Sequence, residues 1–109
     1  LQRRGKVMRV IIESPFKGNI KYNTKYAQKC LKDSLNRGEA PLVFHLLYTQ
    51  VLDEDNDKER SKGLTTSFEW HKFAELIAVY QDFGISYGMQ LAINLAKVND
   101  IPVEYRRIM

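Results

Sequence analysis

The chain contains a single cysteine, Cys30, so it cannot form an internal disulfide. That usage suits a reducing compartment, and we expect the protein to be cytoplasmic. No apolar run approaches the roughly 18 residues that a membrane-spanning helix needs. The basic start of the chain is not followed by the apolar stretch of a signal peptide. We therefore expect no membrane association.

The chain also has little excess charge away from its beginning. Its formal net charge is +4, but Arg3, Arg4 and Lys6 precede Met8, which resembles a native start, and without them the charge would be +1. So small an excess does not favour nucleic acid as a partner. We expect residues 1–7 to be a flexible extension or tag and residues 8–109 to form one domain.

Several motifs that would indicate a cofactor are missing. There is no GxGxxG fingerprint and no P-loop lysine motif, so dinucleotide and triphosphate sites of those kinds are unsupported. Two histidines and one cysteine stand at unrelated spacings, which argues against zinc. A triad drawn from Ser86, His45 and Asp82 lacks nucleophile-elbow spacing. We expect neither a metal nor a cofactor.

What the chain does contain is an alternation of short apolar runs and amphipathic helical patterns. The order β-α-β-α-β-α-β predicts a three-layer α/β sandwich with a four-stranded, mostly parallel sheet in the flavodoxin-like order 2-1-3-4. Strands are predicted over residues 7–12, 40–47, 75–80 and 101–105, and helices over residues 22–37, over residues 58–74 with a weak point at 63–66, and between Ser86 and Asn99.

This strand order brings the loops after strands one and three together, where such sheets bind ligands. The loop after strand three contains Asp82, Gly84, Ser86 and Gly88. Its glycines let a ligand approach the backbone, Ser86 can cap the following helix, and Asp82 can accept from sugar hydroxyls. The alternative is a tight turn with ordinary capping.

Other polar residues near the predicted strand ends have two interpretations each. Glu13, at the end of strand one, is either a functional carboxylate or a capping acid. Lys17 either meets a phosphate or is solvated, and His45 is either an acid or base facing the cleft or a core residue. His71 is expected to be structural. The charged run 53–62 predicts a solvated loop entering a helix, with an acidic metal site as the alternative.

Several short motifs resemble those of nucleoside 2-deoxyribosyltransferase-like proteins. The strand ending in ESPFKG at residues 13–18 resembles their opening strand and loop, and the strand 77–80 followed by Asp82, Ser86 and Gly88 resembles their D…S.G segment. The similarity covers most of the chain from Met8 onward. The chain is closer still to a group of small phage and bacterial proteins with ESPxxG, GEAP, HLLYTQ and DxGISxGM motifs.

The resemblance implies this fold and a nucleoside-shaped pocket. The transferases carry a nucleophilic glutamate about four residues after the motif glycine, and here Ala92 stands at that distance from Gly88. The reaction is therefore not carried over. We expect a nucleoside- or nucleotide-binding protein that cleaves or transfers at an N-glycosidic bond through a relocated carboxylate. The alternative is a non-enzymatic phage or accessory protein that senses or sequesters a nucleotide.

The remaining carboxylates at the predicted cleft are Glu13 and Asp82. Because Asp82 is better placed for sugar hydroxyls, Glu13 is the predicted catalytic group, and His45 or Tyr48 is its proton partner. The predicted ligand-binding residues are Ser14, Phe16, Gly18, Asp82, Gly84, Ser86, Gly88 and Met89.

The last predicted helix carries more apolar surface than one sheet face requires. Met89, Ala92, Ile93 and Ala96 form its core stripe, at helical spacing. A second flank consists of Leu91, Leu95 and Val98. We expect this flank to pair two copies of the chain in a twofold homodimer.

Overall fold

The computed structural model describes residues 7–109, so the expected extension over residues 1–7 lies, apart from Val7, outside the described residues. The elements follow the predicted order. None of the described helices is long and apolar enough to cross a membrane. The strands are β1 Arg9–Glu13, β2 Ala40–Leu42, β3 Leu76–Tyr80 and β4 Val103–Arg106, and the helices are α1 Ile20–Asn36, α2 Asp57–His71 and α3 Tyr87–Val98, with 3-10 turns at Phe44–Leu46 and Tyr48–Gln50.

The four strands form one parallel sheet in the order β2-β1-β3-β4, which confirms the predicted fold class. Ile11 of β1 lies between Leu42 of β2 and Ile77 of β3. All five residues of β3 are buried, because helices cover both faces of the sheet and a strand at its centre has no solvent side. The adjacency of β1 and β3 brings their carboxyl ends together.

Two apolar clusters hold the helices on the sheet. On one face, residues of β1 and β3 pack against Tyr26, Ala27 and Cys30 of α1. On the other face, Ile11, Ile77 and Val79 pack against the α3 stripe that the sequence predicted. Burial raises the pKa of the Cys30 thiol to about 12, so this cysteine behaves as a small core residue.

The second strand is shorter than predicted, and its boundary at residue 47 was wrong. β2 ends at Leu42, and the two 3-10 turns follow it. The reason is packing at the end of the sheet. Val43 and Leu46 contact the α1-side cluster, whereas Phe44 contacts the α3-side cluster. The apolar run therefore closes both cores instead of continuing along the edge of the sheet.

Helix α2 is continuous, so the predicted weak point at residues 63–66 was wrong. Asn56 caps its start by accepting hydrogen bonds from the amides of Lys58 and Glu59. Gly63 lies inside the helix, where an added Cβ would come 3.1 Å from Leu52 Cδ1 of the preceding loop. The glycine that weakens the sequence pattern thus permits close packing.

A buried ion pair ties β4 to the loop before β2. The guanidinium of Arg106 donates to both carboxylate oxygens of Glu39, at 2.8 and 2.7 Å, and to the hydroxyl of Tyr80 at 3.0 Å. Tyr80 in turn donates to Asp33 of α1 at 2.7 Å. Burial lowers the pKa of Arg106, but these hydrogen bonds outweigh it and raise the pKa overall, so the arginine stays charged. The network fixes the carboxyl end of β4 under α1.

Candidate functional site

A cavity of about 230 Å³ opens beside the carboxyl end of β1. Its walls come from the loop after β1, the two 3-10 turns, the first three turns of α2 and the start of α3. This is the position at which doubly wound sheets bind ligands, because the chain leaves β1 and β3 toward opposite faces and separates the loops there. The cavity is therefore the candidate functional site.

Glu13 is the carboxylate that lines this cavity from the end of a strand. It is the last residue of β1, pairs with Val79 across the sheet and is 8% exposed. Its Oε2 lies 2.9 Å from Nε2 of His71, the last residue of α2, which is 1% exposed. A carboxylate this buried requires such a partner, since an unpaired charge there would be strongly disfavoured.

Aromatic rings form one wall of the cavity. The rings of Phe16 and His45 stack with centroids 5.2 Å apart and planes 8° apart. Phe44 lies 5.3 Å from Tyr48, ring centre to ring centre. All four residues line the cavity. Flat apolar surfaces of this kind accept planar ligand groups.

The start of α3 forms a further wall. The hydroxyl of Ser86 caps the helix by accepting from the amide of Met89 at 3.3 Å, as predicted. Ser86, Gly88 and Met89 line the cavity. A helix N-terminus carries partial positive charge, so this wall favours polar or anionic ligand atoms.

Charged residues of the run 53–62 also reach the cavity. Arg60 Nε donates to Glu54 Oε1 at 3.0 Å, and Glu59 Oε1 accepts from the amide of Asp53 at 2.8 Å. Glu54, Glu59 and Arg60 all line the cavity. Most of this run is exposed, as predicted, but these three residues form part of the cavity wall. Within residues 7–109, no group of three or more His, Cys, Asp or Glu could hold a metal ion.

Asp82 makes contacts other than those expected of it. Its carboxylate accepts from Tyr26 Oη at 2.5 Å and from the amides of Ile108 and Met109 at 3.1 and 3.0 Å. Burial raises its pKa, but these hydrogen bonds dominate and hold the pKa of Asp82 below its ordinary value. Asp82 therefore anchors the C-terminal segment, and it does not line the cavity.

The structure thus gathers only part of the predicted site. The residues that line the cavity are Glu13, Phe16, His45, Tyr48, Ser86, Gly88 and Met89, whereas Ser14, Gly18, Asp82 and Gly84 do not. Gly84 and Gly18 adopt positive φ and shape their turns, and Ser14 is fully buried. The two predicted loops therefore both contribute to the cavity. The loop after β1 does so through Phe16 and Lys17, and the loop after β3 through Ser86.

Sequence reasoning missed His71 as a partner of Glu13. The two residues are 58 positions apart, and no local pattern joins them. The available signal was the position of His71, four residues after Ser67 on the buried side of the helix that leads into β3, the neighbour of β1. Lys17 lines the cavity as one of its two interpretations requires.

The fold and the cavity together define a small single-sheet α/β protein with a ligand-type cleft at its strand ends. A family model described as "Domain of unknown function (DUF7768)" matches residues 8–106. The chain therefore belongs to this family, and the match spans all four strands. None of the curated proteins compared with the chain matches it.

Proposed function

We propose that the protein binds a nucleoside or nucleotide in this cavity and cleaves or transfers at its N-glycosidic bond, with Glu13 as the catalytic carboxylate. The observation that carries this proposal is the position of Glu13. It is a buried, hydrogen-bonded carboxylate that lines an aromatic-walled cavity at the strand ends. The motifs that resemble those of nucleoside 2-deoxyribosyltransferase-like proteins lie on the same two loops.

The cavity suits the two halves of such a ligand. The ring stack of Phe16 and His45, with Tyr48 beside it, provides a surface for a planar base. Ser86 and the first turn of α3 provide polar contacts for a sugar or phosphate. Lys17 places a positive charge on the wall, which would suit the phosphate of a nucleotide, whereas the charge of Arg60 is paired with that of Glu54.

Glu13 has the chemistry that the reaction needs. Breaking an N-glycosidic bond develops positive charge on the sugar, and a nearby carboxylate stabilises it electrostatically or by attack on the anomeric carbon. Oε1 of Glu13 has no hydrogen-bond partner among the residues described, so one oxygen remains for the ligand. The oxygen that contacts His71 keeps the side chain in place.

A second candidate is a protein that binds a nucleotide without changing it. The observation in its favour is Ala92, which stands where the resemblance would place the transferase glutamate and is fully buried in the α3 core stripe. Helix α3 therefore offers no carboxylate to the cavity. In this case the protein would be a phage or accessory protein that senses or sequesters a nucleotide in the cytoplasm. Glu13 would then serve only to bind the sugar.

We further propose that two copies associate through α3. Val98, on the flank identified from the sequence, is 78% exposed. Leu91 and Leu95 are only half-buried, so all three can contribute to a shared apolar surface.

The binding proposal is tested by thermal shift with nucleosides, nucleotides and NAD-related compounds. A ligand that binds only the folded protein raises its melting temperature, and the shift grows with ligand concentration. Tyr48→Ala should weaken the shift because Tyr48 lines the cavity, whereas Tyr105→Ala, at an exposed site on β4, should preserve it. Failure of every compound to shift the wild-type protein would contradict the proposal.

A further inference from the structure

The two ring nitrogens of His71 face different acceptors. Nδ1 lies 2.9 Å from the backbone carbonyl oxygen of Ser67, one turn earlier in α2. A carbonyl oxygen can only accept a hydrogen bond, so Nδ1 carries a hydrogen. Nε2 lies 2.9 Å from Oε2 of Glu13. The Ser67 carbonyl thus determines which tautomer is presented to the cavity.

This geometry fixes the number of protons between His71 and Glu13. With Nδ1 protonated, a neutral ring has a bare lone pair at Nε2, which would repel a carboxylate at 2.9 Å. The contact therefore contains a proton, either on Nε2 as an imidazolium–carboxylate pair or on Oε2 as an imidazole–carboxylic acid pair. In both arrangements one proton lies between the two side chains, and the pair has no net charge.

Aromatic rings surround the His71 side of this pair. Phe44 stacks on the His71 ring at 6.2 Å between centres, and Phe68 meets it edge-on at 5.2 Å. Among the residues described, Glu13 is the only charged group in an ion pair with His71. His45, which the sequence offered together with Tyr48 as a proton partner, stacks on Phe16. Burying a pair with no net charge beside these rings costs less free energy than burying a single unpaired charge.

We propose that His71 is the positioning residue of Glu13 and that one proton shared between Nε2 and Oε2 holds the carboxyl group in place, so that Oε1 is presented to the ligand. The presence and position of this proton follow from the two hydrogen-bond distances of the His71 ring alone. The catalytic consequence rests on the proposed function of Glu13. Oε2 contacts His71 and orients the carboxyl group, whereas Oε1 remains for the ligand.

The proton placement is tested by nitrogen NMR of the histidine rings. The chain has two histidines, so His45→Gln assigns the remaining signals to His71. We expect Nδ1 of His71 to be protonated near neutral pH, and to stay protonated in Glu13→Gln, because the Ser67 carbonyl does not change. A neutral ring protonated only at Nε2 would overturn the proposal.

The positioning role is tested by two substitutions at residue 71. His71→Gln can still donate to Glu13, whereas His71→Phe cannot and leaves the carboxylate unpaired. With a nucleoside that the wild type turns over, we expect His71→Phe to lower kcat at least about tenfold with KM within about threefold, and His71→Gln to recover part of the loss. Thr66→Ala, on the exposed side of α2, is the control.

The possible results separate the two proposals. Thermal unfolding first establishes that each variant is folded. Folded His71→Phe with wild-type kcat would refute the positioning role while leaving the proposed function intact. A wild type that turns over no nucleoside would refute catalysis at Glu13 and with it the catalytic part of this inference. The NMR measurement would then still decide where the proton resides.

Discussion

At the scale of single residues, two carboxylates at neighbouring strand ends have different surroundings and different tasks. Glu13 has one partner and lies on a cavity wall. Asp82 has three hydrogen-bond donors and lies away from that wall. The sequence could place both at the carboxyl edge of the sheet, because Glu13 stands at the end of one apolar run and Asp82 two residues after another. It could not divide their tasks, because Tyr26 and the C-terminal amides come from distant parts of the chain.

Asp82→Asn should therefore affect stability and spare ligand binding. The substitution removes a charged acceptor of three hydrogen bonds, and we expect the free energy of unfolding to fall by about 1–3 kcal/mol. Chemical unfolding in urea measures this change. Ligand affinity, followed by thermal shift or calorimetry, should stay within about twofold. A tenfold loss of affinity in a folded variant would mean that Asp82 contacts the ligand.

Glu39 should make stability depend on acid pH. Burial raises its pKa, but hydrogen bonds from Arg106 and Ser34 outweigh that effect, and the folded pKa lies below the ordinary value of 4.5. Its contribution is thus fully present above 4.5 and is lost as the pH falls through the folded pKa. Below that range the carboxyl is protonated in both states.

Glu39→Gln is the matched variant for this pH dependence. It breaks a buried ion pair, so we expect about 3 kcal/mol lower stability near neutral pH. The difference from wild type should shrink as the pH falls below 4.5 and through the folded pKa, since the wild type then loses the same interaction. Unfolding by urea at several pH values measures it. A difference that is constant over this range would be inconsistent with a lowered pKa at Glu39.

At the scale of elements, the sequence predicted the strand order because apolar β-branched runs and helical stripes alternate along it. It could not predict where β2 ends, since Val43 and Phe44 are apolar whether they extend a strand or close the two cores. It also could not show that α2 is continuous. Gly63 suggests a weak point in the sequence, and its close approach to Leu52 is visible only in the folded structure. Tertiary packing decides both cases.

Two helix caps provide an internal comparison. Ser86 caps α3 and lines the cavity, whereas Asn56 caps α2 and does not line it. Ser86→Ala and Asn56→Ala should each lower the free energy of unfolding by about 1 kcal/mol, because each leaves helical amides without an acceptor. Only Ser86→Ala should also weaken ligand binding. Equal ligand affinities in the two variants would show that Ser86 does not contact the ligand.

At the scale of the whole molecule, the surface of α3 predicts self-association. Light scattering at tens of micromolar, an order-of-magnitude choice of concentration, should give about twice the chain mass of 12.7 kDa. Val98→Asp should shift the protein to the monomer, because it places a charge at the most exposed position of the apolar flank. Lys97→Asp, at the adjacent exposed position, is the control. A wild-type monomer would contradict the dimer.

The central claim is that Glu13 acts on a glycosidic bond in the cavity, and release of free base from a bound nucleoside or nucleotide tests it most directly. Chromatography of wild type and Glu13→Gln, each incubated with ligands selected by thermal shift, gives the rate of base release. We expect the wild type to release base and Glu13→Gln to be nearly inactive, while its affinity stays within about tenfold, or ~1.4 kcal/mol. Tight binding with every ligand recovered intact from the wild type would contradict this account.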